Sequence, residues 1–342
     1  MESPGPAPAP PQTQTMRAVV QREYGTVASE VFEMTDVPLP DIGPDQVLIR
    51  VAASSVNALD WHYMTGTPYF LRLQNGLRTP KRLIPGADVS GTVVDVGPEV
   101  TEFARGDEVF GDIGSGGFAE YAVGKASRLA HRPAGISVEE SATLGVAALT
   151  ALQGLRDWAE IRPGDRVLIN GASGGVGSFA VQIARALGAS HVTAVCSTPN
   201  VETARSIGAD RVIDYTKDDF TEIRDEFDVF FDNAGSQSLT RSRRVLTDGG
   251  TLVMVTGRKG KWLRPVDRLL AGAIRSRFWS QRFVNKVAEA SGEDGSVLAQ
   301  MVDGGKLRPV IDRRFRFQDA VEALSYQAEG HARGKSIVEI GP

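Results

Sequence analysis

The sequence predicts an α/β protein in two parts, a β-rich region followed by a doubly wound parallel sheet. Three observations carry this. Short β-branched runs separated by Gly, Pro and Asp fill residues 16–133. From about Ser137 onward strands and helices alternate. One of those strands runs into "NGASGGVGSFAVQIARALGA", a glycine turn that opens an amphipathic helix.

The elements follow in order. "MESPGPAPAPPQTQT", residues 1–15, is rich in Pro, Ala and Gln and reads as a disordered tail. It lacks the apolar core of a secretory signal and the Arg-rich pattern of a transit peptide. The strands "QVLIRVAASSV", "GADVSGTVVDVG", "GDEVFG" and "GFAEYAV" follow. Then "SVEESATLGVAALTALQGL" has helical spacing, with Ser137 as N-cap and Glu140 in the capping-box position. "RVLIN" leads to a helix from about Val176 to Leu187, stopped by Gly188. "HVTAVCS", "RVIDY", "DVFFDNAG" and "GTLVMVTG" are the next strands, with helices between them. The chain closes with a strand, a helix ending near Gly330, and a final strand in "GKSIVEI".

Composition excludes several classes. Net charge is −4, so nothing draws the chain generally to nucleic acid. Cys196 is the single cysteine, which rules out a disulfide framework and a four-cysteine zinc site and fits a reducing, cytoplasmic compartment. No apolar run is long enough to span a bilayer.

The glycine turn points to a ligand. Gly171, Gly174 and Gly177 are spaced G-x-x-G-x-x-G. One such glycine permits the turn off the strand, one lets backbone approach a pyrophosphate, and one packs helix on sheet. The helix start adds unpaired N–H groups and a positive dipole end. Ser173 adds a hydroxyl. A dinucleotide phosphate is therefore expected at this turn. The next strand ends in "CSTPN", where an NAD site would usually offer an acid to the ribose. Without one, Ser197, Thr198 and Asn200 are expected to donate to a 2′-phosphate, which favours NADPH. Thr198-Pro199 also reads as the cap of the following helix.

These motifs, with "PGADVSGTVVDVG", "GADRVIDY", "DNAG" and "GHARGKSIV", resemble the medium-chain dehydrogenase/reductase superfamily. Within it the sequence is similar to the zinc-free quinone oxidoreductase-like branch, and to NADPH oxidoreductases related to the mitochondrial reticulon-4-interacting protein. The resemblance implies a GroES-like catalytic domain, residues 16–136 and 308–342. A Rossmann domain, residues 137–307, is inserted in it, with the cofactor in the cleft between. It places Ser173, Gly175 and Val176 at the pyrophosphate, Ser197 and Tyr215 at the adenosine ribose, and Asn57, Asn233 and Gly235 toward the nicotinamide.

Departures from zinc-dependent relatives matter too. Where those carry ligands, this chain has Asn57, Gly86-Ala87-Asp88 and Gly145–Val146, so no metal is expected. His62, five residues after Asn57, is then a candidate proton donor. Tyr63 and Tyr69 are candidates for the substrate pocket, and Met64–Gly86 for its lid or wall. The stretch Gly257–Lys286 holds nine Lys or Arg against Asp267 alone. It reads either as a peripheral contact with anionic lipid or an acidic substrate tail, or as a solvated face over a buried or subunit-facing apolar side in a homodimer. The expected activity is NADPH-dependent, zinc-independent reduction of a quinone or α,β-unsaturated carbonyl. The alternatives are an enoyl-thioester reductase and a non-catalytic NADPH-binding protein.

Overall fold

A computed structural model describes residues 15–255, 279–330 and 332–341. The N-terminal tail, apart from Thr15, and residues 257–278 of the basic stretch lie outside the described residues. Strands β1 (Thr15–Gln21) and β2 (Phe32–Pro38) form an antiparallel ribbon joined through a short helix α1 (Ala28–Val31). A seven-stranded sheet follows. It contains β3 (Gln46–Val56), β4 (Asp88–Val96), β5 (Glu108–Asp112), β6 (Tyr121–Lys125) and β7 (Leu129–His131), together with β14 (Ile311–Arg316) and β15 (Lys335–Glu339) from the end of the chain. The order is β14-β15-β3-β4-β5-β7, with β6 also on β3. Alternate residues of β3, namely Val47, Ile49 and Val51, enter one core with Val89, Val93 and Val109, the two-residue period of a strand with one buried face. The returning β15 sets Ile337 opposite Ser55 of β3, which brings the C-terminus beside α2 (Ala58–Thr65).

The second sheet is parallel and ordered β10-β9-β8-β11-β12-β13. Its strands are β8 (Arg166–Asn170), β9 (His191–Cys196), β10 (Arg211–Asp214), β11 (Phe227–Asp232), β12 (Leu246–Met254) and β13 (Arg282–Val284). This is a doubly wound Rossmann sheet, and the order reverses between β8 and β11. At such a switch point the outgoing loops diverge and leave a crevice at the carboxyl ends of the strands. Helices α6 (Gly175–Ala186), α7 (Val201–Ser206), α8 (Leu239–Arg244) and α9 (Gly292–Asp303) accompany it. Leu298 and Val302 of α9 share a core with Phe179 and Ile183 of α6 and with Phe110 and Ala130 of the first sheet, so one apolar cluster fastens both sheets together. Helix α10 (Ala320–Glu329) ends at Gly330, in the left-handed conformation.

Two differences from the sequence reading have local causes. Ser137 caps α4 (Val138–Ser141): Glu140 N–H donates to its Oγ at 3.2 Å, and Ser137 N–H donates to the Glu140 carboxylate at 3.3 Å. The expected single helix then kinks at Gly145 (ψ −110) before α5 (Leu149–Gln153). Asp88 packs against the kink, where a Cβ on residue 145 would strike its carboxylate, so the position requires glycine. The second difference is after β10, where the expected short helix is a single 3-10 turn, Phe220–Glu222. Among the described residues no helix is long and apolar enough to cross a membrane.

Candidate active site in the interdomain cleft

The glycine turn lies at the crevice. Gly171 leaves β8 with φ 80, a conformation that side chains resist. Gly177 lies where a Cβ would be driven into the Gly171 carbonyl, so it lets α6 press against the turn. Gly174 differs from both. A Cβ there would meet only the Gly171 oxygen at 3.6 Å and Asn233 Nδ2 at 3.9 Å, ordinary contacts. The protein itself therefore has room for a side chain at 174, and a glycine there leaves space for something else. Helix α6 starts without a side-chain cap, which leaves its first N–H groups aimed into that space. Asn233 N–H donates to Asn170 at 3.0 Å, and Gly235 N–H to the Asp232 carboxylate at 2.9 Å, so the β11 loop stands beside the β8 loop. A turn of this shape fits a dinucleotide pyrophosphate.

The facing wall is made of side chains. Lys335, at the start of β15, is 3% exposed. Its ammonium donates to Asn57 Oδ1 at 2.6 Å and to the Val56 carbonyl at 3.1 Å, and pairs with Asp88 Oδ2 at 3.3 Å. Asp88 is wholly buried and accepts from four donors among the described residues. They are Ser55 Oγ, Asn57 Nδ2 at 2.8 Å, Lys335 itself and, on Oδ1, Val146 N–H at 2.7 Å. A buried ion pair is tolerable only when its remaining hydrogen-bonding capacity is met in this way. The Lys335 stem also touches the dinucleotide helix: a Cβ on Gly175 would lie 2.8 Å from its Cδ. Lys335 thus joins Asn57 to the mouth of α6. Beneath the cluster, Asp60 accepts from Asn57 N–H at 2.8 Å and Gly86 N–H at 3.0 Å, and burial pushes its carboxyl up to about 7. Asp112, opposite Asp88 in the sheet register, is raised to about 6 by burial and by the Asp88 charge.

Comparison with known proteins bears on this cleft. Residues 43–134 match the family model described as "Alcohol dehydrogenase GroES-like domain" and residues 207–338 the one described as "Zinc-binding dehydrogenase". The chloroplastic quinone-oxidoreductase QR1 of Triphysaria versicolor is 34% identical, over 95% of this chain and 98% of its own. The mitochondrial NAD(P)H oxidoreductase RTN4IP1 of Mus musculus is 34% identical over 95% and 89%. The chloroplastic NADPH-dependent alkenal/one oxidoreductase of Arabidopsis thaliana is 33% identical over 94% and 79%. The solved structure of the quinone oxidoreductase from Coxiella burnetii superposes with a TM-score of 0.83 at 29% identity, covering 96% of this chain and all of that one. The chain is a medium-chain dehydrogenase/reductase. It is an oxidoreductase that uses a nicotinamide cofactor, with a GroES-like domain and a Rossmann domain.

In this dehydrogenase/reductase the three positions at which zinc-dependent relatives were expected to hold ligands do meet in space. Asn57 and Val146 both donate to Asp88, and Gly145 lies against it. Among the described residues no group of three or more His, Cys, Asp or Glu is arranged to hold a metal ion. The cation at their meeting point is the Lys335 ammonium. Sequence reading missed both Lys335 and Asp88 as site residues. The signal was a lysine opening the apolar strand "KSIV" and an aspartate opening "DVSGTVV", each a charge at the head of a β-branched run.

At the end of β9 the expected donors have partners within the protein. "CSTPN" holds no acid, but β10 runs parallel to β9 with Asp214 opposite Cys196. The Thr198 hydroxyl donates to Asp214 at 2.6 Å, and Thr216 Oγ1 does so at 2.7 Å. These bonds, with Lys217 nearby at 3.4 Å, hold the Asp214 carboxyl down near 2. Asn200 is buried and donates to Ser197 Oγ at 3.0 Å. Thr198 and Asn200 therefore brace the turn, and exposed Tyr215 and Lys217 flank it. Lys217 is a residue the sequence reading overlooked.

The remaining candidates divide. Tyr63 is half-buried under Arg82, whose guanidinium lies 4.5 Å from the ring centroid and donates to the hydroxyl. Burial raises the Tyr63 phenol. Tyr69 instead forms part of a staple, with Arg72 4.9 Å from its ring. His62 Nδ1 lies 2.7 Å from the Thr67 carbonyl at the end of α2. With its proton donated there, a neutral His62 ring carries none on Nε2.

Proposed function

We propose that this protein reduces a quinone or an α,β-unsaturated carbonyl with NADPH and without zinc. The observation that carries the reading is Lys335. A buried ammonium stands where three expected ligand positions converge, bonded to Asn57 and braced by Asp88. The ammonium is held by three acceptors and paired with a carboxylate, so its part is to fix Asn57 in the cleft, a brace that needs no metal. NADPH would supply the hydride. The chain's own residues do the rest. Gly171, Ser173, Gly174, Gly175, Val176 and Gly177 hold the pyrophosphate, with Asn233 and Gly235 alongside. Asn57 orients the reacting end, its amide fixed from both sides by Lys335 and Asp88. Tyr63 and Arg82 form the pocket wall. Ser197, Tyr215 and Lys217 face the 2′-phosphate, and that charge match favours NADPH over NADH.

His62 is the proposed proton donor, and its bond to Thr67 limits when it can act. Only the charged ring has a proton to give from Nε2, so the imidazolium is the form that would act.

The test is NADPH consumption over quinones, enals, enones and enoyl-CoA thioesters, with and without strong chelator. Turnover of quinones or enones that survives chelation is expected. Activity lost to chelator and restored by zinc, or confined to the thioesters, would overturn the reading. In the same assay His62→Gln should lower the single-turnover rate by about 10²-fold or more and flatten its pH dependence, with NADPH affinity retained. A normal rate removes His62 from the mechanism.

A further inference from the structure

Between Thr65 and Asp88 the sequence contains Arg72, Arg78, Lys81 and Arg82 and no acid, in a chain whose net charge is −4. The same connection exposes large apolar side chains. Leu73 is 73% exposed and Leu77 66%, with Phe70 and Leu83 also open to solvent. Phe70 and Leu73 sit three apart on consecutive turns, Tyr69–Leu71 and α3 (Arg72–Asn75), and Leu77 follows Gly76.

This exposure is held in place from within. Arg72 turns inward between the Tyr24 and Tyr69 rings, at 4.2 and 4.9 Å. It donates to the Thr65 and Gly66 carbonyls at 3.0 Å. The Tyr24 hydroxyl donates to the Gly76 carbonyl at 2.7 Å. The inner side of the segment is fastened, so its outer side presents apolar groups in a set arrangement, with exposed Arg78, Lys81 and Arg82 in the same connection. A cluster of this kind marks an interaction surface.

The charge pattern selects the occupant. A second copy in a two-fold interface would set Arg78, Lys81 and Arg82 against their own counterparts, which costs free energy. Nucleic acid would match the cations but leave Phe70, Leu73 and Leu77 unused. Apolar side chains entering the acyl boundary beneath cations at anionic headgroups satisfy both halves of the pattern. The patch is also continuous with the cleft, because Arg82 bonds the Tyr63 hydroxyl. We propose that residues 70–83 dock the mouth of the substrate pocket onto an anionic lipid bilayer. The preference for lipid over an acidic protein rests on the substrate reading above, since quinones and enones partition into bilayers.

Vesicle flotation of the full chain tests the proposal. Phosphatidylcholine vesicles with phosphatidylglycerol should carry the protein, pure phosphatidylcholine should not, and added salt should release it. Arg78→Gln/Lys81→Gln should weaken partitioning by about fivefold per charge removed. Leu73→Ser/Leu77→Ser should weaken it by at least about tenfold. Both variants should keep the melting temperature. No flotation on anionic vesicles overturns the proposal, as does flotation that the four substitutions leave unchanged. A dimer in solution that Leu73→Ser/Leu77→Ser dissolves would assign the patch to a second copy and also overturn it. Flotation without quinone turnover would instead refute the substrate reading, and turnover without flotation the docking alone.

Discussion

The dinucleotide turn is made by the backbone within seven residues, Gly171 to Gly177. The wall facing it is made by side chains, and its principal bond joins Lys335 to Asn57 across 278 residues of sequence. The turn works through what is missing, a Cβ at Gly174 and at Gly177. The wall works through what is present, an ammonium and a carboxylate held out of water. The first arrangement is a local steric rule and the second a long-range electrostatic one, so they should fail differently when altered.

The largest effect belongs to the wall. Lys335→Met leaves the Asp88 carboxylate buried without its cation and should cost about 3–5 kcal/mol of stability. Asp88→Asn in the same chain removes the stranded charge. The double variant should therefore be more stable than Lys335→Met alone, and a thermal or urea double-mutant cycle reads the coupling. Additive losses would mean that the pair is not the organising contact of the wall.

Asp60 probes the same wall by pH. Its carboxyl rises from the ordinary range to about 7 because burial disfavours the ionised form. The folded chain then holds a proton that the unfolded chain has released, so stability falls as pH rises from about 4 to about 7. The loss is up to about 4 kcal/mol if the whole shift is expressed. Asp60→Asn should flatten the stability profile across that window. An unchanged slope would assign the pH dependence to another group, Asp112 being the next candidate.

The turn gives a contrasting pair. Gly177→Ala forces a Cβ into the Gly171 carbonyl and should destabilise the protein by about 1–3 kcal/mol with or without cofactor. Gly174→Ala meets only ordinary contacts and should change stability by less than about 1 kcal/mol, yet lower dinucleotide affinity by about tenfold or more. If Gly174→Ala bound NADPH normally, the space at residue 174 would not be a phosphate site.

That contrast explains what the sequence could and could not convey. A steric rule is written where it acts, so the strand, the three glycines and the helix from about Val176 were legible together, and the helix begins at Gly175. The capping of α4 by Ser137 was legible for the same reason. Lys335 and Asp88 carry no local mark of their meeting, which depends on β15 returning to pair with β3. The glycine at the kink shares this origin, because Asp88 of another strand fills the space a side chain at 145 would need. The turn after β9 depends on strand pairing in a similar way. An acid sought in the loop after β9 arrives from β10, in register with Cys196.

The smallest predicted effect is at that turn and combines both kinds of construction. Thr198 and Asn200 are local features of the β9 turn, but their polar atoms are engaged by Asp214 and Ser197. The charge available to a 2′-phosphate is then Lys217, whose side chain is 66% exposed and pairs with Asp214 at 3.4 Å. Exposure and the competing carboxylate both weaken it, and pairs of this kind contribute up to about 1 kcal/mol. Lys217→Ala should accordingly weaken NADPH binding by about fivefold at low salt and by less at high salt, with NADH affinity unchanged. Titration of both cofactors by fluorescence would measure this. An equal loss for NADH would make Lys217 a general support of the turn. A wild-type preference for NADH would show that Asp214, not Lys217, sets the charge felt by the ribose.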